Sequence, residues 1–518
     1  MSSLYDVFPG CSSLSTLRLN SPTVVLISDR YRPTNDAYRT NITLQVPAFA
    51  VNNYKLDQYW YNYKVIEGFE TEDVAYWPIH GDIVLNRERF GGCPDIKLFA
   101  GNSLKINGDT QQQFGNVEVE NNASLLSNCD NLTVNGDLTV WYQMGYAYWH
   151  DGQDWRFVCL PFDMKVGDID TNGAQLAVRV YDGANRAANG ATGSWKKLTA
   201  DDVIPAGTGF IFQTDQDVWV GFKAMDNDTK QYIVSPNEFV KALAANESAT
   251  ASNAGWNLVG NPYQCYYNDH MLNFTGPITV WNGSSYTAYS ITDDDYAIRP
   301  NEAFFVQCPE NVSSISFPTQ GRQLTDVIES QNAAPSLRTA AAGMNRCLID
   351  LTVSRDSLTD RTRVVLNEQA TLGYELTRDA SKFMSMDNSV PQLYTVDADG
   401  TQYAINERPV ADGTALVGFF APTKGTYTFS LSRCDADHVW LTDRETGLTV
   451  NLVEGDYVFS AEAGVAAQRF TLGLEGATKI EHAVSDNEEA VIYDLSGRTV
   501  QQPDKGVYLQ NGQKVVIR

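Results

Sequence analysis

With 518 residues, the chain is long enough for several domains, and its 43% hydrophobic and 19% charged residues indicate globular folding rather than long disorder. Its formal net charge of -25 at pH 7 argues against nucleic acid as a partner, because an acidic chain is repelled by a phosphate backbone. Short runs of Val, Ile, Thr, Phe and Tyr, separated by Gly and Pro, exclude a helix bundle and predict a mainly β fold.

The first predicted element is a turn of a leucine-rich solenoid within residues 1–70. Apolar residues recur there at intervals that fill a solenoid interior: Phe8, Cys11, Leu14, Leu17 and Leu19. A Val-Pro step at Val46 and a Tyr- and Trp-rich run over residues 59–63 follow. Together they resemble the closing segment of BspA-type leucine-rich-repeat surface proteins, which implies a terminal repeat and a solenoid cap. Because a solenoid needs about three repeats, we expect further repeats and a signal peptide upstream.

Short strands that end at Asn-Gly are predicted over residues 71–140. Apolar residues alternate with polar ones in the segments 104–108 and 132–136. This pattern is typical of hairpin turns and also of β-solenoid rungs, so both alternatives remain open. We interpret the segment as structural.

An internal duplication occupies residues 141–324. Three blocks recur in the same order and with similar spacing: 155–162 with 256–263, 180–183 with 280–283, and 204–213 with 298–307. The repeat predicts two related β units, or two halves of one sandwich, over about 141–240 and 241–324. Similar Trp-Asn-Leu-Val-Gly-Asn-Pro-Tyr blocks occur in large exported adhesin-like proteins, so the resemblance implies a surface role.

A polar, Ala-rich linker is predicted at 325–345, and a β-sandwich at 346–476. The linker lacks the apolar alternation of its neighbours. Strand-like runs separated by Asp-Gly, Thr-Gly and Glu-Gly turns follow it, at the spacing of a sandwich.

The last module, residues 477–518, consists of three predicted strands with an Asn-Gly turn before the last one. It resembles the C-terminal sorting domain of type IX secretion cargo. The residues that carry this resemblance are Asp494, Gly497, Arg498, Gly506, Tyr508, Asn511, Gly512 and Lys514. The resemblance implies export to the outer-membrane cell surface, with residues 478–518 contacting the secretion machinery.

The densest aromatic run is a candidate ligand site. Its residues are Trp141, Tyr146, Tyr148, Trp149 and His150. Exposed aromatic rings stack on sugars or anchor a protein partner. The same pattern also arises when alternate residues fill a sandwich core, which is the interpretation we favour.

Metal binding and disulfides are the next alternatives. Asp293, Asp294 and Asp295 are adjacent carboxylates that could bind Ca²⁺, since neighbouring like charges repel unless they are solvated or metal-bound. The eight Cys include no C-x-x-C pair, which argues against a zinc ribbon. Apolar flanks favour buried thiols for most of them.

No catalytic motif is present, so we predict that the chain is not an enzyme. None of the five His belongs to a recognised motif, and Gly-x-Ser-x-Gly is absent. The sequence therefore predicts a secreted, non-catalytic adhesion or interaction protein of the cell surface, with a host or bacterial surface protein or a glycan as its partner. Two alternatives remain: a carbohydrate-binding accessory module of a glycan-utilisation system, and a hydrolase completed by upstream sequence.

Overall fold

The computed structural model describes residues 11–19, 39–56, 59–69, 77–79, 81–86, 95–107, 112–128, 132–144, 155–225, 238–328, 346–385, 387–410, 413–474, 492–493, 499–500, 506–510 and 513–517. Throughout these residues the fold is mainly β and includes a β-solenoid region, which confirms the predicted fold class. The boundaries of the individual domains stay predictions.

Three parallel strands stack near the N-terminus. They are β1 (Thr16–Arg18), β2 (Thr43–Pro47) and β3 (Val65–Phe69), with helix α1 (Val51–Leu56) between the last two. The register places Leu17 beside Leu44 and Leu44 beside Ile66, and all three are buried. Tyr54 and Trp60 pack below them with ring centroids 5.6 Å apart. The parallel stacking is that of a solenoid interior; its assignment to a leucine-rich repeat remains a prediction.

A second stack of parallel strands follows. Its strands are β4 (Trp77–Ile79), β5 (Asp82–Asn86), β6 (Ile96–Leu98), β7 (Ser103–Asn107), β8 (Gln112–Phe114), β9 (Val117–Glu120), β10 (Ser124–Ser127), β11 (Leu132–Val134) and β12 (Leu138–Gln143). They form three parallel ladders: β4-β6-β9-β12, β5-β7-β10 and β8-β11. Because the pairing is parallel, these strands are β-solenoid rungs, and the hairpin alternative is wrong for them.

Side-chain ladders of Asn and Asp hold the rungs together. The backbone N–H of Asn116 donates to Asp95 Oδ1 at 2.6 Å, and the N–H of Asp137 donates to Asn116 Oδ1 at 2.8 Å. Both bonds join residues 21 positions apart, which is the repeat of the solenoid. Each of these side chains accepts a hydrogen bond from a backbone N–H that lies in a turn between two strands. This requirement explains why Asn and Asp recur at the corners of the rungs.

The two sequence copies have the same strand order. The first contains β12, β13 (Arg156–Cys159), β14 (Met164–Lys165), β15 (Leu176–Tyr181), α2 (Gly183–Asn189), β16 (Trp195–Lys197), β17 (Val203–Ile204), β18 (Gly209–Thr214) and β19 (Trp219–Lys223). The second contains β20 (Phe239–Ala242), β21 (Trp256–Gly260), β22 (Tyr266–Asn268), β23 (Ile278–Trp281), β24 (Tyr286–Tyr289), β25 (Ala297–Ile298), β26 (Ala303–Gln307), β27 (Ser314–Phe317) and β28 (Arg322–Gln323). The central sheets are β13-β18-β15-β16 and β21-β26-β23-β24, so the duplication extends to topology.

The copies meet with approximate two-fold symmetry. Val158 bridges Glu302, and the equivalent residues Thr208 and Val259 form the reciprocal bridge. At the centre of this contact, a Cβ added to Gly260 would lie 2.3 Å from the Cβ of Cys159. The absence of a side chain at this position therefore allows the two sheets to approach closely.

Residues 346–474 form one large sheet. Its strands are β29 (Arg346–Arg355), β30 (Leu358–Asn367), β31 (Ala380–Ser381), β32 (Gln392–Val396), β33 (Gln402–Arg408), β34 (Thr414–Ala421), β35 (Gly425–Cys434), β36 (Trp440–Asp443), β37 (Leu448–Asn451), β38 (Tyr457–Ala461) and β39 (Gly464–Gly473). The order is β37-β36-β39-β34-β32-β33-β30-β29-β35-β38, with β31 against β33.

This sheet curls round until it nearly closes on itself like a barrel, and its opposite walls form two facing layers. Strands β35 and β39 are six steps apart in the sheet order, which would separate them by about 29 Å in a flat sheet. The rings of Phe429 on β35 and Phe470 on β39 are nevertheless 4.8 Å apart. Phe419 and Phe459 complete an aromatic core between the layers.

The remaining elements are short. Single turns of 3-10 helix lie at Ala48–Ala50, Trp60–Asn62, Val166–Asp168, Ala251–Asn253, Asp269–Met271 and Thr319–Gly321. The C-terminal strands are β40 (Ile492–Tyr493), β41 (Thr499–Val500), β42 (Gly506–Gln510) and β43 (Gln513–Ile517), in the order β41-β40-β42-β43. In the described part of the chain, no helix combines the length and the apolar character needed to cross a membrane.

Several cysteines are buried thiols, as the sequence predicts. Cys159, Cys265 and Cys308 are free and buried, whereas Cys11 is free and exposed. Burial raises the pKa of the Cys265 thiol to about 12, so this side chain remains a neutral thiol at physiological pH.

Candidate ligand-binding site

The predicted aromatic run is only partly described. Tyr146, Tyr148, Trp149 and His150 lie outside the described residues. Trp141 lies on β12 directly opposite Gly221 on β19, and its half-buried ring covers that glycine. At this position the ring therefore stabilises a strand pair, and its role in ligand binding stays a prediction.

The three adjacent aspartates contact three different groups of the protein. Asp293 forms an ion pair with Arg346 at 2.5 Å and Asp294 with Arg363 at 2.8 Å, whereas Asp295 Oδ1 lies at hydrogen-bonding distance from His270 Nε2, 2.7 Å away. The side chains therefore diverge instead of converging on one ion. No group of three or more His, Cys, Asp or Glu among the described residues could hold a metal ion. The Ca²⁺ hypothesis for Asp293–Asp295 is corrected accordingly: Arg346 and Arg363 compensate the charges of two of these carboxylates, and His270 contacts the third.

The residues of the predicted sorting motif are described in part. Gly506 and Tyr508 lie on β42 and Lys514 on β43, two strands that pair antiparallel with Gln510 opposite Gln513. The other motif residues, namely Asp494, Gly497, Arg498, Asn511 and Gly512, lie outside the described residues. The export function of this module stays a prediction.

A buried carboxyl group lies beside this acidic loop. Asp269 is fully buried, and its Oδ1 accepts a hydrogen bond from the backbone N–H of Tyr296 at 3.3 Å. Its Oδ2 has no hydrogen-bond partner among the described residues. Burial is the main cause that raises the pKa of this carboxyl to about 8, and nearby Asp294 and Asp295 add to the shift.

Asp269 should make stability fall as the pH rises. Its pKa is raised from 3.8 when unfolded to about 8 when folded, so the folded state holds an extra proton between pH 4 and 8. The stability that this proton contributes is complete below pH 4 and is lost as the pH approaches 8. We expect Asp269→Asn to reduce the dependence of stability on pH between 4 and 8. The measurement is the urea concentration at the midpoint of unfolding, at pH 5, 6.5 and 8.

The control for this measurement is Asp201→Asn, because the side chain of Asp201 is 99% exposed. This variant should preserve the slope of the parent chain. Equal slopes for Asp269→Asn and the parent would contradict the assignment to Asp269.

A cleft lies where the two copies meet the large sheet of residues 346–474. Its volume is about 430 Å³, and its lining includes Tyr181, Arg186, Trp195, Tyr286, Phe383 and Gln402. Exposed Ala191 and Gly400 lie at its rim, so the cleft opens to solvent. We call it the aromatic cleft. Its size suits one or two sugar rings or another small organic group.

Equivalent strands of the two copies supply the aromatic floor. Tyr181 lies opposite Trp195 on β15 and β16, with ring centroids 5.1 Å apart. The corresponding pair in the second copy is Trp281 opposite Tyr286, at 4.8 Å. Phe305 packs between them and lies 4.8 Å from Tyr181. The pseudo-symmetric contact of the copies therefore builds a continuous aromatic layer.

The third wall comes from the chain that follows β31. Phe383 stacks on Phe305 with centroids 4.7 Å apart and also contacts Trp256. The neighbouring Lys382 lines the cleft, but its ammonium group is buried in an ion pair with Asp360. The predicted turn at Asp399-Gly400 forms part of the rim, and Gly400 has the positive φ of 86° that such a turn requires.

Hydroxyl and amide groups complete the cleft. Ser252, Ser381, Thr401 and Gln402 lie on its walls. Burial raises the pKa of Tyr181, although the nearby Arg186 acts in the opposite direction, and burial likewise raises that of Tyr286. Both phenols therefore remain protonated at neutral pH and keep their hydrogen-bond donors.

The sequence did not predict this site. Its block 180–183 marks the strand that carries Tyr181, but the rings converge from segments about 200 residues apart in the chain. In both copies, aromatic residues lie on the two strands that form this pair. This recurrence was the one feature of the sequence that could have indicated the site.

Together the fold and the cleft define a mainly β protein in which two repeated units and the large sheet surround a cleft lined by aromatic residues. Residues 264–473 match the family model of a domain of unknown function, DUF8693. That region includes Tyr286, Phe383 and Gln402 of the cleft, whereas Tyr181, Arg186 and Trp195 precede it. No curated protein and no solved structure matched the chain.

Proposed function

We propose that this chain is a non-catalytic interaction protein of the cell surface that binds glycans through the aromatic cleft. The supporting observation is the cleft itself, in which rings from both copies are combined with hydroxyl and amide groups. Apolar faces of sugar rings stack on aromatic side chains, and sugar hydroxyls bond to the surrounding polar groups. This proposal joins adhesion to carbohydrate recognition, because attachment through a glycan is one form of adhesion.

The composition of the cleft supports a binding role. Its described lining contains no carboxylate or imidazole side chain, whereas glycoside hydrolysis generally requires a pair of carboxylates at the bond to be cleaved. The lysine in the wall is already engaged by Asp360 at 2.5 Å. A binding site that leaves its ligand intact fits these contacts best.

Export to the outer-membrane surface is the second part of the proposal. Its support is the resemblance of residues 478–518 to a type IX sorting domain. A surface location would bring the cleft into contact with extracellular glycans. Secretion of a reporter fused to residues 478–518 from a type IX-competent cell tests this part, and retention of the reporter in the periplasm would contradict it.

Glycan-array binding with Trp195→Ala tests the cleft. The indole forms one side of the cleft and contacts Tyr181, so its removal should weaken binding at least about tenfold. Trp440→Ala is the matched control, because Trp440 is 41% exposed on β36 and does not line the cleft. Binding to matrix proteins but to no glycan, with equal affinity in both variants, would favour adhesion to a protein partner instead.

A further inference from the structure

Arg186 in the wall of the aromatic cleft lacks the carboxylate partners that Arg363 and Arg346 have. Arg363 and Arg346 each form ion pairs with two carboxylates. Arg186 is only 6% exposed, yet no carboxylate among the described residues lies within 4.0 Å of its nitrogens. A buried charge is costly unless an opposite charge or hydrogen bonds compensate it.

Aromatic rings hold this cation in the wall of the cleft. Its guanidinium carbon lies 4.8 Å from the ring centroid of Phe383 and 5.1 Å from that of Trp256. Nη1 donates a long hydrogen bond of 3.4 Å to the Tyr181 hydroxyl, and Nε has no acceptor among the described residues. Stacking stabilises the charge but does not satisfy the N–H groups. The guanidinium therefore brings to the wall of the cleft a charge that no carboxylate of the described residues neutralises.

Arg186 also lies outside the duplicated scaffold. It belongs to α2, which connects β15 to β16, whereas the second copy joins the equivalent strands through a short turn at residues 282–285. Asp182 caps the start of this helix by accepting a hydrogen bond from the N–H of Asn185. The duplicated strands of the second copy thus fold without an equivalent of this arginine. Folding of the repeated unit therefore does not explain why an arginine lies at the cleft.

We propose that the aromatic cleft selects sugars that carry a carboxylate, with Arg186 as the cation that pairs with it. This inference rests on the proposed function, because it names the class of glycan that the same cleft binds. A planar carboxylate matches the donors of a guanidinium, and a hydrogen bond between charged groups is stronger than one between neutral groups. Uronic and sialic acids share this chemistry.

Short oligosaccharides are the appropriate probes. The net charge of -25 repels a long polyanion, whereas a short ligand meets mainly the local field within about 10 Å at 0.1 M salt. We would measure calorimetric affinities of the full chain for trigalacturonate and its methyl ester, and for sialyllactose and its methyl ester. Each pair differs in the negative charge, and the two pairs distinguish the two sources of an acidic sugar.

At least one acidic ligand should bind about tenfold or more tightly than its neutral partner. Arg186→Met keeps an apolar chain between Trp256 and Phe383 but removes the charge, so it should abolish this preference. Arg179→Met is the matched control, because Arg179 stacks on Trp155 and does not line the cleft. This variant should keep the preference.

The outcomes separate the two proposals. Equal affinity of the parent chain for acidic and neutral partners, with binding still sensitive to Trp195→Ala, would overturn the inference about Arg186 and leave glycan binding intact. A preference that survives Arg186→Met would also overturn it. If no glycan binds at all, the proposed function fails as well. The comparison within the parent chain decides the inference even if Arg186→Met does not fold.

Discussion

Replacing Arg363 by Met should lower the free energy of unfolding by about 3–5 kcal/mol, the usual cost of leaving a buried ion pair without one partner. Arg363 is 1% exposed and bonds to both oxygens of Asp350, at 2.5 and 2.8 Å, and to both oxygens of Asp294, each at 2.8 Å. Without the cation, two shielded carboxylates would face each other.

The pH dependence of the loss identifies its cause. Burial by itself raises the pKa of Asp350, but the hydrogen bonds from Arg363 and the charges of Arg361 and Arg363 outweigh it, so the pKa lies below its ordinary value. In the parent chain this carboxylate contributes stability above the unfolded pKa of about 4, and that stability is lost as the pH falls further. In Arg363→Met the carboxyl group can take up a proton, so the deficit should be smaller at pH 4 than at pH 7.

Arg361→Met provides the control. Arg361 also contacts Asp350, at 3.0 Å, but it is more exposed and Arg363 remains in place. We expect a loss of about 1 kcal/mol or less. Equal losses for the two variants, measured by urea unfolding at pH 7, would contradict the central role of Arg363.

The ion pairs of Arg363 and Arg346 also join the second copy to the large sheet, and both of these units supply walls of the cleft. Asp294 lies in the second copy and Arg363 in the large sheet, and Asp293 forms the parallel contact to Arg346. The same large sheet positions Phe383 against Phe305. If the aromatic cleft binds glycans as proposed, Arg363→Met should weaken that binding as well, because it loosens the contact that holds the two sides of the cleft together.

Local patterns account for the part of the fold that could be predicted. The alternation of apolar and polar residues, the Asn-Gly turns and the repeated blocks that begin at Trp155 and Trp256 are all visible in short stretches of sequence. They therefore predict the strands and the duplication directly. They could not distinguish hairpins from rungs at residues 104–108, because that choice depends on contacts between residues 21 positions apart, such as Asn116 with Asp95.

The cleft was missed for a related reason. Phe383 is nearly 200 residues from Arg186, yet the two lie 4.8 Å apart. Adjacent aspartates at 293–295 suggested a shared cation, whereas Arg346, Arg363 and His270 arrive from distant strands and turns to meet them. Long-range pairing of this kind leaves no spacing in the sequence from which it could be inferred.

Phe429→Ala should cost about 3–5 kcal/mol of unfolding free energy, because it opens a cavity between the two layers of the large sheet. The ring of Phe429 is fully buried and lies 4.7 Å from Phe459 and 4.8 Å from Phe470. The contact with Phe470 joins strands that are six steps apart in the sheet order, so no backbone hydrogen bond between the two strands can replace it.

Two further variants show whether the cavity is the cause. Phe429→Leu fills most of the space and should cost less than half as much. Val458→Ala lies on the adjacent strand β38, but Val458 is 61% exposed, so its loss should stay within about 0.5 kcal/mol. Urea unfolding followed by fluorescence measures all three. A loss below about 1 kcal/mol for Phe429→Ala would mean that the layers are held mainly by their edges. Because Phe429 does not line the aromatic cleft, the folded fraction of this variant should retain the affinity of the parent chain for the glycan that the cleft is proposed to bind.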